Sequence, residues 1–404
     1  MKIYKSINAC RVSKKKDLVS VFNFPNFYLT GIFPSKYQKI KKTPFEVVFS
    51  KSSKLLQLKH NYNQKFLYGD NYGYRSSLNK IMINHLNKKY LYLNKKLKLN
   101  ENDKILDIGS NDSTFLSFSN SKKYGVDPSI KKYLKYYDKE TRVFIDTFEN
   151  AYSKIKKNKF KLITSIAMFY DLPNPVSFLK KVKSLLSDDG IYHIEVANLL
   201  SFIDTFSYDT FCHEHFEFYS LTSLNYIIDK CGLKIHNFGF NKINGGSIWI
   251  DIVKNSYKER DTKKLKKYIL YEKKRGLHNL TTYKKFFKKV EKHSNKLNKL
   301  IVHLKKKERK IAGLGASTKG NVLLQFCNLG KNEIDNIYDV NPFKFGKYTP
   351  GTKIKIIDEN KMNLKNYDYI LVLIWHYNEF IIRKIKKLNN KIKIIFPFPK
   401  IKIF

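Results

Sequence analysis

Cysteine is scarce in this 404-residue chain: Cys10, Cys212, Cys231 and Cys327 stand far apart. They suggest no disulfide framework and fit a reducing compartment. Acidic residues are few beside basic ones, 34 against 78, giving a formal net charge of +44. Such an excess draws phosphates, whether in nucleic acid, at an anionic membrane or on a nucleotide. The lysines, however, run from end to end among abundant Asn, Ile, Tyr and Phe, and no aromatic-basic recognition motif accompanies them. A nucleic-acid partner is therefore not the first expectation, and the charge favours an anionic small substrate. Long apolar runs are missing too. The N-terminus Met1–Ser6 has no signal core and no run approaches a membrane span, so a soluble, cytoplasmic chain is expected. What is present, 42% hydrophobic and 15% aromatic residues, is enough for two or three domains with real cores.

Breakers and periodicity divide the chain. Residues 1–75 contain Pro25, Pro34, Pro44 and several glycines and read as a small, loop-rich N-terminal domain. Cys10-x-x-Ser13 and Ser50-x-x-Ser53 sit where two CxxC knuckles could have been, and serine is a poor zinc ligand. From residue 76 the apolar positions Leu78, Ile81, Met82, Leu86 and Leu91 predict a helix. A strand, a Gly/Ser/Asn/Asp loop and a helix start follow over 104–116, where Gly109 lets backbone approach a ligand. The next strand ends at Asp127, where a doubly wound fold would grip ribose hydroxyls; the single loop glycine suits S-adenosylmethionine better than NAD. Further strands at 160–169 and 191–196 and a helix at 176–187 keep an α/β rhythm, which means a parallel sheet covered on both faces.

After the last of these strands comes Tyr208–Ser220, with the densest run of proton-transferring groups, His213, Glu214 and His215. If extended, the two histidines share one face and Cys212 and Glu214 the other. The run then reads as a general-base site, as a metal site of unusual spacing without a complementary CxxC pair, or as locally satisfied polar groups. Its place at the carboxyl edge of the sheet favours catalysis. Residues 256–308 form a lysine-rich helical connector. Residues 309–404 restart an α/β unit, in which Gly313, Gly315 and Gly320 permit tight backbone. Ser317, Thr318, Lys319 and Asn321 open its helix, the first three with phosphate-binding groups.

Together the motifs YGDNYGYRS (68–76), ILDIGSNDSTFL (105–116), YDTFCHEHFEFYS (208–220), NGGSIWI (244–250), GASTKGNVLLQF (315–326) and YDVNPFKFGKYTPGT (338–352) form a specific set. The chain resembles the S-adenosylmethionine-dependent C-methyltransferases of nucleotide-linked 4-keto-deoxysugars over almost its whole length. The resemblance implies a Rossmann-like class I methyltransferase core at 76–255, a small N-terminal zinc-knuckle domain at 1–75, and a second Rossmann-like α/β domain at 309–404 for the nucleotide sugar. On this mapping Asp107, Gly109, Ser110, Asn111 and Asp127 line the cofactor site. His215 would be the base, with Glu214, His213 and Tyr72 or Tyr74 positioning substrate and stabilising the enolate, while Ser317, Thr318, Lys319 and Asn321 would hold substrate. Four departures stand out. The knuckles have lost three cysteines, so no zinc is expected; Cys212 replaces a tyrosine of relatives; Tyr170-Asp171 stands where some relatives have histidine; Ser113 replaces a usual glycine. The alternatives are an O-methyltransferase on a nucleotide-linked or surface-glycan sugar, and a nucleic-acid-binding or nucleic-acid-methylating protein.

Overall fold

The computed structural model describes every residue except 1, 37, 69–72 and 258–261. Tyr72 thus lies outside the described residues. Three sheets dominate the chain, with a two-stranded ribbon, Tyr4–Ser6 against His60–Tyr62, at its start.

The N-terminal region is not the loop-rich segment its prolines suggest. Strands Leu18–Tyr28, Lys42–Ser50 and Leu56–Leu58 pair antiparallel, and Glu217–Phe218, just after the His-Glu-His run, adds a fourth strand. Pro25 and Pro44 fall at the register shift between Phe24 and Phe27, where the ladder needs no N–H from either. This sheet buries aromatic side chains against the rest of the molecule. Phe22 stacks on Phe287 at 4.6 Å, and Phe24 meets Phe326 at 5.0 Å. At its end Cys10, Ser13, Ser50 and Ser53 still converge. Cys10 Sγ lies 3.2 Å from Ser53 Oγ and accepts the Val12 and Ser13 amides, so hydrogen bonds hold what four thiolates would. Among the described residues no three His, Cys, Asp or Glu side chains are grouped to hold a metal.

The central sheet has seven strands, ordered Leu233–Asn241, Ser247–Lys254, Leu186–Ala197, Phe160–Ile166, Lys104–Ile108, Lys122–Val126 and Arg142–Phe144. Only Ser247–Lys254 runs against the others. The helix Lys80–Leu97 buries Met82, Leu86 and Leu93 and leaves Ile81 and Leu91 outside. The expected helix start after the first strand is absent: Asn111 and Ser113 take left-handed φ values of 47° and 66°, and only a 3-10 turn, Leu116–Phe118, follows. A left-handed Ser113 explains why glycine would be at home there.

Two helices, Thr262–Lys274 and Leu280–Lys306, connect to a six-stranded sheet. Its order is Lys355–Asp358, Asn336–Asp339, Ile311–Leu314, Tyr369–Val372, Lys393–Phe396 and Lys402–Ile403, parallel except for the last strand. The class I methyltransferase core is therefore followed by a second Rossmann-like sheet. No helix among the described residues is long and apolar enough to cross a membrane.

Candidate functional site

A cleft opens at the carboxyl ends of the central strands, the edge where doubly wound sheets take ligands. Asp107, Gly109, Ser110, Asn111 and Asp127 all line it, with Tyr74, Asp171 and the apolar Met82, Phe115 and Met168. Gly109 has φ 85°, and a Cβ there would come within 2.9 Å of Met168, so this turn admits only glycine without displacement. Asp127 fixes the loop: its Oδ2 accepts the Asn111 amide at 3.0 Å and its Oδ1 the Ser129 amide at 2.6 Å. Asp107 accepts Thr164 Oγ1 at 2.6 Å, and burial pushes its carboxyl up to about 7. The Asn111 side chain is turned to its neighbours, accepting the Ser76 amide at 3.1 Å and donating to Tyr74 O at 3.2 Å. Tyr74 remains 45% exposed at the rim. A narrow glycine turn, a buried acid on the first strand and an acid ending the second fit an adenosyl cofactor.

The His-Glu-His run is a turn, not a strand, since the His215 amide donates to Cys212 O at 3.2 Å. The face-sharing expected of an extended run is lost, and the three side chains part company. His213 is fully buried. The Thr30 amide donates to its Nδ1 at 3.3 Å, so Nε2 carries the proton toward Thr43 Oγ1 at 2.9 Å. Both nitrogens are thus taken by threonines of the N-terminal region, one in a loop and one in a strand, and burial holds the ring neutral, down at about 3. Glu214 accepts Thr30 Oγ1 at 3.3 Å through Oε2, while Oε1 is buried without a hydrogen-bond partner. Burial pushes it up to about 7. A Cβ on Gly31 would lie 1.7 Å from Glu214 Oε1 and 3.5 Å from Thr318 Oγ1, so glycine at 31 makes the room for this carboxyl.

His215 is different. Its Nδ1 donates to Thr210 O at 2.9 Å, which leaves Nε2 as the lone-pair nitrogen. Its ring lies edge-on to Tyr170, centroids 4.3 Å apart. Tyr170 belongs to the turn after Ala167 and Met168, both cleft residues. Burial first and the Lys319 ammonium second hold His215 down at about 3, so it is neutral at ordinary pH. Cys212 is buried beside them, its thiol raised well above the usual range by burial.

The C-terminal unit reaches this place with some of the expected residues. Ser317 is used as a helix cap, accepting the Gly320 amide at 2.9 Å, and Asn321 donates to Thr30 O at 2.7 Å while buried. Each is thus engaged at least once within the fold. Thr318 neighbours Glu214, and Lys319 Nζ donates to Asn244 O at 2.8 Å. Residues that sequence reasoning passed over complete the site. Trp375 Nε1 donates to Asp209 Oδ2 at 2.8 Å, and His376 presents a buried Nδ1 without a partner. Thr30 and Gly31 carry no local signal; their part comes only from the packing of the N-terminal sheet.

Residues 78–237 match the family described as methyltransferase domain, and residues 242–399 match the C-methyltransferase C-terminal domain. The C-methyltransferase NovU of Streptomyces niveus is 26% identical over 98% of this chain and 97% of its own length. Among solved structures, the plantazolicin methyltransferase BpumL with SAH overlays 42% of this chain and 82% of its own, at 14% identity and a TM-score of 0.35. The mitomycin 7-O-methyltransferase MmcR overlays 43% and 54%, at 10% identity and a TM-score of 0.35. The chain is an S-adenosylmethionine-dependent methyltransferase, its methyltransferase domain followed by a region that matches the C-methyltransferase C-terminal domain.

Proposed function

We propose that this enzyme methylates a carbon next to the ketone of a nucleotide-linked 4-keto-deoxysugar in the cytoplasm, with His215 as the base. The observation that carries the reading is the tautomer of His215. With Nδ1–H given to Thr210 O, the lone pair sits on Nε2 of a ring packed against Tyr170, whose turn follows the cleft residues Ala167 and Met168. A neutral imidazole can take the proton from a carbon made acidic by a neighbouring carbonyl, provided the oxygen's developing charge is stabilised.

In this reading Asp107, Gly109, Ser110 and Asp127 hold S-adenosylmethionine, with Asn111 keeping the Gly109 loop tied to Tyr74 and Ser76. The bound cofactor supplies an electrophilic methyl carbon. Glu214, with one unpartnered oxygen in the gap beside Thr318, binds a sugar hydroxyl. His213 holds Glu214's neighbour Thr30 in place and acts only through it. On this reading residues 1–75 complete the site through Thr30 and Gly31, residues 76–255 bind the cofactor, and residues 309–404 take the nucleotide sugar.

The test is methyl transfer from carbon-labelled S-adenosylmethionine to a panel of nucleotide-linked 4-ketosugars, read by carbon NMR. A new methyl on the carbon next to the ketone is the expected product. A methoxy signal would keep the cofactor site and replace enolate chemistry by deprotonation of a hydroxyl, and no transfer to any sugar would remove the substrate class.

A further inference from the structure

Lys319 comes from the C-terminal unit but its ammonium meets the Asn-Gly-Gly turn of the central unit. Its Nζ donates to Asn244 O at 2.8 Å, and among the described residues it forms no ion pair. An ammonium has three donors, so two remain for a ligand. Asn244 holds a left-handed backbone, φ 54°, in the Asn-Gly-Gly turn and walls a small crevice with Ala167, Tyr170 and Ser247. Ala167 also lines the cofactor cleft, and Tyr170 carries the ring of His215. Asn244, to which the lysine is tied, thus shares a wall with a residue of the cofactor cleft and with the ring that His215 packs against. Its electrostatic neighbours agree: it acts on Asp209, Cys212, His215 and His376. Asp209 is in turn held across the same interface by Trp375.

We propose that Lys319 is a catalytic residue that stabilises the enolate oxygen, delivered to the core by the C-terminal unit, and is not a phosphate ligand. This rests on the reading of His215 as the base. His215 Nε2 takes the proton, the C–H electron pair forms the carbon–carbon double bond, and the carbonyl π pair moves onto oxygen opposite Lys319 Nζ. The enolate carbon then bonds to the methyl group, the carbonyl re-forms, the C–S pair stays on sulfur, and His215 releases its proton to solvent. A diphosphate is the poorer occupant, because Asp209 already places a carboxyl within range of the ammonium. The enolate develops one charge, in the step that needs stabilising.

The experiment compares the wild-type enzyme with Lys319→Met and Lys319→Gln. It follows exchange of the hydrogens next to the ketone with deuterated water, without methyl donor, alongside kcat and KM for the ketosugar. S-adenosylhomocysteine affinity serves as the folding control, and the glutamine variant covers the case in which methionine disturbs folding. The expected result is a loss of about 100-fold or more in both exchange and kcat, with KM changed less than about threefold. Raised KM with wild-type exchange and kcat would overturn the proposal and return Lys319 to substrate binding. If the wild-type enzyme exchanges no hydrogen in any ketosugar, the base reading falls and takes this one with it; exchange in the wild type that persists in both variants sinks Lys319 alone.

Discussion

Asp127 and Asp339 stand in the same hydrogen-bond frame in two different sheets. Each ends the second strand of its unit and accepts a glycine-loop amide through Oδ2, from Asn111 at 3.0 Å and from Ala316 at 2.7 Å. Each accepts the amide two residues on through Oδ1, from Ser129 and from Asn341. The loop glycines match as well: the Gly109 amide donates to Val126 O and the Gly315 amide to Tyr338 O. Around Asp127 the frame borders the open cleft, whereas at Asp339 it is filled by Lys344, whose Nζ donates to Ala316 O at 2.6 Å.

That contrast separates the two acids experimentally. Asp127→Asn should weaken S-adenosylhomocysteine binding by about tenfold, as loss of one charge-assisted contact does. Asp339→Asn should leave it within about twofold. Isothermal titration of both variants decides, and equal losses would contradict a single cofactor site.

His215→Ala should abolish turnover and leave cofactor affinity near the wild-type value, because the imidazole touches Thr210 and Tyr170 but none of the cofactor loop. Single-turnover assays beside a binding titration check this. Wild-type-like turnover would falsify the base assignment.

Gly31→Ala tests the carboxyl. The added methyl would occupy the position of Glu214 Oε1, so the side chain must swing away. The fold should persist, since the displaced atom ends a flexible chain, while kcat/KM for the sugar falls about tenfold or more. Glu214→Gln provides the comparison, and an unaltered kcat/KM in both would remove Glu214 from the substrate site.

Stability should depend on pH through the buried histidines. His213, His215 and His376 are each held down at about 3, chiefly by burial. Above about pH 6.5 they are neutral in folded and unfolded chains alike. As pH falls below that value the unfolded chain binds protons that the folded one refuses. Stability is then lost toward about pH 3, at up to about 1.4 kcal/mol per pH unit for each ring. Asp107 and Glu214, raised to about 7, work the other way, stabilising below their ordinary range and losing that contribution as pH rises through 7. Thermal unfolding across pH 4 to 9 should therefore peak near about pH 6, and the acid slope should be shallower in His213→Gln.

The serine-rich knuckle can be tested by restoring it. With Cys10, Ser13, Ser50 and Ser53 gathered around one point, the Ser13→Cys/Ser50→Cys/Ser53→Cys variant should be isolated with about one zinc per chain. The wild-type protein should contain no stoichiometric zinc by elemental mass spectrometry. One zinc per wild-type chain would overturn the argument that serine cannot replace the thiolates.

The loop that lines the cleft was legible because its parts are local. Gly109 and Asp127 belong to a strand, turn and strand whose conformations are set by neighbours, and the Gly315 loop repeats the same signal. The helix expected after the first loop was not, because left-handed Asn111 and Ser113 reflect the side chains that hold this loop, not helix propensity. His213 and His215 look alike in sequence. A turn separates them, and Thr30 and Thr43 of a distant strand and loop claim the first. Ser317 and Asn321 looked like ligand groups and became a helix cap and a tie to Thr30.

What the sequence determined by itself is the class of protein: two glycine-marked strand-turn units with an acid at the end of each second strand, and a histidine-rich segment between them. Tertiary structure decided which groups remain open to a ligand. The reason is that a polar group buried by packing must find a partner, and whether that partner is another part of the chain or a substrate is settled only when distant segments meet. Thr30 took the nitrogen of His213, Lys344 filled the frame at Asp339, and Asn244 tied down the ammonium of Lys319.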